Sequence, residues 1–192
     1  TVDSTATFWA ALALLLSVLA VKKGSWRHAL GAAFLSGFSA ATKYSTGAVY
    51  LSALLAVLLL PERVAQKRKL ALLSLPVALL GFLLLCPGPL IAPLSFWRDF
   101  LYELRHSRMG HGLVFLGLPP AFVYHPFVNL PCTLGWPLAS ALLLGAALAA
   151  ARARRRELLP LWAFAAAYFG MLSTSKLMFA RYNLPLLPAL SI

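Results

Sequence analysis

A lysine stands near the middle of a 32-residue apolar run, Ala29 to Leu60, with a basic cluster on each flank. Lys22, Lys23 and Arg27 precede the run; Arg63, Lys67, Arg68 and Lys69 follow it. One helix of that length would be about 48 Å long and would place the clusters on opposite sides of a bilayer. Basic loops gather on one side, the cytoplasm, so a single crossing is disfavoured. The chain is therefore expected to turn back near Thr42-Lys43-Tyr44-Ser45-Thr46-Gly47. Each arm of such a hairpin, residues 29–60, has roughly 14 residues and spans about 21 Å, short of a hydrocarbon layer of about 30 Å. Its tip would lie at membrane depth, where irregular backbone and a charge persist only inside protein or in a wet cavity. Lys43 is a candidate site residue on that ground.

The rest of the chain has the same character. It is 61% hydrophobic, and its formal charge of +12 is held in short clusters between apolar runs. That is the pattern of cytoplasmic loops beside anionic lipid, not of a nucleic-acid-binding face. The expected fold is all-α: a polytopic transmembrane protein, one domain over residues 1–192, without a fixed-period repeat. Thr5–Val21 is about long enough to span. Leu70–Leu94 crosses back, with Pro76 and Cys86-Pro87-Gly88-Pro89 interrupting it. Residues 95–109 place Phe96, Trp97, Phe100, Leu101 and Leu104 on one helical face and charged or polar side chains on the other, which suits a helix lying flat in the outer interface. Gly110 is expected to end it. After a proline-broken stretch, a regular helix is expected over Leu134–Ala151. Leu158–Leu172 then returns outward to a loop at Ser173–Asn183.

This topology leaves eleven Lys and Arg in cytoplasmic loops and six, Lys43, Arg98, Arg105, Arg108, Lys176 and Arg181, toward the outer side. Asp3, Asp99, Glu103, His106, His111 and His125 share that side. Cations gathered opposite the positive loops suggest an anion, and a lipid phosphate suits Lys as a point charge and Arg as a bidentate donor. Snorkelling to headgroups is the competing explanation and is favoured for Arg98 and Arg108. His111, between two glycines, could ligate a divalent metal, move a proton or bond a phosphate oxygen. Asp3 could meet a sugar hydroxyl or a metal, or only cap the first helix. Cys86 and Cys132 have no metal or redox spacing, and two small buried thiols are favoured over a disulfide. No Walker loop, dinucleotide fingerprint or Gly-x-Ser-x-Gly is present.

Several stretches, in order, resemble one family. Gly37-Phe-Ser-Ala-Ala-Thr-Lys-Tyr-Ser-Thr-Gly47 resembles the glycine-to-"TKY" segment of polytopic GT-C glycosyltransferases, which include the dolichyl-phosphate-mannose–protein mannosyltransferase and aminoarabinose transferase relatives. Ser175-Lys-Leu-Met-Phe-Ala-Arg-Tyr-Asn-Leu-Pro-Leu-Leu-Pro188 is similar to their late "RY-x-LP-x-LP" element. Phe100-Leu-Tyr-Glu103 through His111, Leu130-Pro131 with Leu134-Gly135-Trp-Pro137, and Asp3 before its apolar run fit the same family. The resemblance implies an inverting transferase that moves a sugar from a polyprenyl-phosphate donor to a lipid, glycan or protein acceptor. Its site would face outward from a multi-pass protein of the bacterial inner membrane. It implies donor-phosphate contacts at Lys43, His111 and Arg181, and a sugar or site neighbourhood at Asp3, Tyr44, Glu103 and Tyr182. The family's catalytic base lies in a first outer loop that nothing here matches, so the sequence is expected to be a fragment lacking that N-terminal part. A transporter or flippase for an anionic lipid or solute is the alternative, since broken helices and a buried charge suit that class too.

Overall fold

The computed structural model describes residues 1–61, 66–110, 114–151 and 155–191. These are helical, with no strand among the described residues. Helix α1 (Val2–Lys23) opens with the Thr1 side chain accepting from Ser4 N–H and closes on Gly24 in the left-handed conformation, φ 62°. Helix α2 (Trp26–Thr42) runs back along α1. A 3₁₀ segment (Tyr44–Val49) and α3 (Tyr50–Leu58) then descend against α2, and α4 (Lys67–Leu85) rises beside it. Helices α1 and α4 are long and apolar enough to cross a membrane.

The expected hairpin is present, and its arms are longer than their residue count suggested. Helix α2 begins at Trp26, so its 17 residues rise about 25 Å. The returning arm combines a six-residue 3₁₀ segment, rising about 12 Å, with nine α-helical residues, rising about 14 Å. Lys43 contacts Asp3, so the tip stands level with the first turn of the 22-residue α1, not part-way along it.

Small residues let these helices approach. Ala6, Ala10, Ala13, Ala20, Ala29, Ala32, Ala33, Ala53 and Ala56 are fully buried. Gly37 and Gly81 mark the crossing of α2 and α4: a Cβ on Gly37 would lie 2.0 Å from the Ala78 carbonyl oxygen, and one on Gly81 would lie 2.2 Å from that of Phe34. Only glycine allows two backbones so close, the contact that small-residue pairs provide between apolar helices. The large side chains point the other way. Leu72, Leu75, Leu80 and Leu84 on α4 are all more than half exposed, which is the surface a helix offers to lipid and not to water.

The remainder is more broken. After a short α5 (Gly88–Ile91), α6 (Pro93–Met109) forms the expected amphipathic helix and stops at Gly110, φ 89°. Helix α7 (Ala121–Tyr124), a π-helical turn (His125–Asn129) and α8 (Leu130–Leu134) form one continuous stretch. The wider π turn accommodates Pro126, which would otherwise break an α-helix. Helices α9 (Trp136–Ala151) and α10 (Leu159–Thr174) match the expected segments within two residues, and a 3₁₀ segment (Ala180–Leu186) precedes α11 (Leu187–Leu190). The expected loop over Ser173–Asn183 is thus shorter, helical again from Ala180. Pro76 lies inside α4 without ending it. Both cysteines are free; Cys86 is half-buried and Cys132 exposed, against the expectation of two buried thiols.

Candidate active site at the Asp3 end

The backbone at Lys43 is extended, φ −153° and ψ 116°, which breaks the helix and turns the side chain toward α1. Hydroxyls hold this break. Thr46 Oγ1 donates to the carbonyl oxygens of Lys43 (2.7 Å) and Ser39 (2.9 Å), and Ser39 Oγ reaches Thr46 Oγ1 (2.8 Å) and the Ala6 carbonyl (3.2 Å). The same two carbonyls also accept backbone N–H bonds, from Thr46 to Lys43 and from Lys43 to Ser39, so the hydroxyls add a second set of bonds across the kink.

Three segments far apart in sequence meet here. Lys43 Nζ donates to Asp3 Oδ1 and lies 3.8 Å from the centre of the Tyr182 ring. Arg181 Nε lies 3.5 Å from the other Asp3 oxygen. The Arg181 guanidinium also stands 4.8 Å from the Phe179 ring centre. Asp3 therefore sits between two cations, and an aromatic face lies beneath each. Fixing the third segment, the buried Tyr168 of α10 donates its hydroxyl to the Tyr182 carbonyl at 3.1 Å. Lys43 lies outside both helices long enough to span; burial holds its ammonium below the usual lysine range, and Asp3 opposes that effect.

Exposure separates the two cations. The side chains of Asp3 and Lys43 are 13% and 18% exposed, whereas that of Arg181 is 59% exposed. Lys43 is spent largely on Asp3, and Arg181 presents most of its fork outward. The triad retains one net positive charge, and its accessible part belongs to Arg181.

Helix α6 borders this cluster. Tyr44 packs edge-on against Phe96 and Phe100, with centroids 6.3 and 5.1 Å away, and lies 6.5 Å from Phe82 of α4. Glu103 of α6 stands within electrostatic reach of both Tyr44 and Tyr182. At its far end α6 is tied down where Lys176 N–H donates to the Ser107 carbonyl at 3.0 Å.

Of the sequence-derived candidates, Asp3, Lys43, Arg181 and Tyr182 form one cluster, and Tyr44 and Glu103 neighbour it. His111 lies outside the described residues, so its expected phosphate or metal contact is not placed. Asp3 stands in the first turn of α1, while Thr1 supplies the cap; of the two alternatives for Asp3, that of a helix cap is set aside. No three His, Cys, Asp or Glu side chains gather to hold a metal among the described residues. Sequence reasoning missed Ser39, Thr46 and Tyr168. Their signal was available only for Thr46, a β-branched hydroxyl three residues after the helix break.

With this geometry in place, one comparison bears on it. Residues 1–87 match the family model described as dolichyl-phosphate-mannose-protein mannosyltransferase. The match contains Asp3, Lys43, the kink-stitching hydroxyls and both crossing glycines, and it supports a glycosyltransferase of the mannosyltransferase type with membrane character. No curated protein and no solved structure matches the chain.

Proposed function

We propose that the chain is the phosphate-binding part of a polytopic GT-C-like glycosyltransferase that takes a sugar from a polyprenyl-phosphate donor at the outer face of the membrane. The observation that supports this reading most is the convergence of Asp3, Lys43 and the Arg181-Tyr182 pair at one end of the helical bundle. Transfer of the sugar leaves an anionic lipid phosphate, and catalysis needs a preorganised cation where that charge develops. Arg181 is the exposed cation of the cluster and carries the fork geometry that grips two phosphate oxygens. Lys43 and Asp3 are positioning residues: the pair anchors the hairpin tip and sets the Arg181 Nε. Tyr44, Glu103 and α6 border the space where the sugar would lie. His111 remains a candidate second phosphate contact.

The test is transfer by the full-length protein from a panel of radiolabelled polyprenyl-phosphate sugars. One of the panel should be consumed, and Arg181→Ala should lower kcat/KM at least tenfold, about the effect of losing one charge-assisted phosphate contact. If no donor is used while a sister enzyme uses one under the same conditions, the reading fails.

A further inference from the structure

Helix α6 leaves part of its apolar surface uncovered. Phe96 and Phe100 turn inward against Tyr44. Leu94, Trp97, Leu101 and Leu104 form a neighbouring stripe that is 86%, 56%, 45% and 43% exposed. Arg98, Tyr102 and Arg105 fill the next arc of the helix, and Arg108 closes the stripe in the last turn.

Two attachments lay α6 across the Asp3 end of the bundle. Near its start, Phe96 stands 6.2 Å from Phe82 in the last turn of α4, and Phe96 and Phe100 together clamp Tyr44 at the hairpin tip. From Phe100 the helix rises about 10 Å to Ser107. There the Ser107 carbonyl accepts from Lys176 N–H at 3.0 Å and Ser175 Oγ at 3.3 Å, just beyond the end of α10 at Thr174. Both anchors stand at helix ends, so α6 runs along the end of the bundle and not down its side. Each anchor also neighbours one of the cations that flank Asp3. Tyr44 follows Lys43 directly, and Lys176 begins the segment that carries Arg181.

The surface next to the stripe identifies what covers it. Helix α4 exposes Leu80 and Leu84 as a lipid-facing helix does, and it leads through Pro87 and Gly88 into α6. The stripe thus continues a hydrocarbon-facing surface to the level where the helices end. A bilayer's headgroup boundary takes apolar side chains on one face of a helix and Arg or Tyr on the other. Trp97 suits that depth, and Arg108 reaches lipid phosphates from the edge of the stripe.

We propose that α6 is a membrane-docked strut: its stripe from Leu94 to Leu104 seats in the headgroup boundary, and its two anchors then hold the Lys43 turn and the Arg181 segment at the spacing the phosphate site needs. The effect on that site rests on the phosphate-binding reading above; docking and anchoring do not. Arg181 depends on the strut more than Lys43 does. Lys43 is held by Asp3 and its turn by the Thr46 and Ser39 hydroxyls. The exposed Arg181 sits in a segment slung between two bonds, Lys176 to Ser107 and Tyr182 to Tyr168.

Trp97 lies in the stripe and reports docking. The full-length protein is placed in nanodiscs of phosphatidylcholine and phosphatidylglycerol brominated either near the headgroup or near the chain end. The Trp97 share of the quenching is the difference from Trp97→Phe. Stronger quenching by the headgroup-proximal bromine is expected. Leu101→Ser/Leu104→Ser should weaken that quenching. It should also speed amide exchange about tenfold in both Tyr44–Val49 and Ala180–Leu186, leave α1 and α2 unchanged, and raise the farnesyl-phosphate Kd about tenfold. Phe100→Leu should keep the Trp97 quenching and speed exchange in Tyr44–Val49 alone. Absent or chain-end-biased quenching in the wild type would overturn the docking, whether or not any variant folds. Unchanged exchange in either segment of the double variant, or an unchanged Kd, would overturn the strut. A wild type that binds no farnesyl phosphate would instead sink the phosphate-site reading, and quenching and exchange then decide the strut on their own.

Discussion

Helices α1 to α4 and the segment from α7 to α9 are both rich in apolar residues, yet they are built on opposite plans. The first is packed backbone against backbone through alanine and glycine, with the break at Lys43 stitched by hydroxyls. In the second, prolines and a π turn interrupt the helices, the walls stand apart around a cavity, and Gly145 has nothing within 4 Å of a Cβ built on it. Similar composition thus supports two jobs. Close packing holds an ion pair against α1, and loose packing leaves an apolar cavity. The family match covers the first region and stops at residue 87.

Substitutions at the glycines should break this contrast most sharply. Gly37→Val places a branched side chain where a bare Cβ already meets backbone at 2.0 Å, so α2 and α4 must separate. A loss of about 3 kcal/mol or more is expected, read as a lower thermal-unfolding midpoint in detergent. Gly145→Ala in α9 should be neutral or stabilising by up to about 1 kcal/mol, because only helix propensity changes there. Equal losses at the two positions would erase the distinction.

Lys43→Ala comes next. It leaves the largely buried Asp3 with only the longer Arg181 contact and should cost about 1–3 kcal/mol. Lys43→Arg should recover part of that loss. Thr46→Val keeps shape and removes the hydroxyl that bridges Ser39 and Lys43; about 1–2 kcal/mol is expected. Proteolysis confined to the kink would identify the damage as local. Arg181→Ala should be mildest on the fold, at most about 1 kcal/mol, since its pairing is exposed.

Much of the close-packed region was legible in the sequence. The basic clusters around residues 29–60 required a turn, and Lys43 in that turn required a partner. The length of the returning arm was not legible, because α-helical rise was assumed throughout, whereas the 3₁₀ segment from Tyr44 to Val49 lengthens it. The Arg181-Tyr182 pair was legible through its family likeness, but its contact with Asp3 spans almost the whole chain and has no local signal. The apolar cavity beside the π turn was illegible for another reason. Pro126 reads as a break, and nothing in the sequence shows that a π turn carries the helix through it.

The assignment of Arg181 as the outward cation, with Lys43 held on Asp3, is tested most directly by affinity for a short-chain prenyl phosphate. Titrations of the full-length protein and its Arg181→Ala and Arg181→Lys variants should show at least a tenfold loss for alanine and a smaller one for lysine, at unchanged helical content. Unchanged affinity in folded Arg181→Ala protein would contradict the assignment.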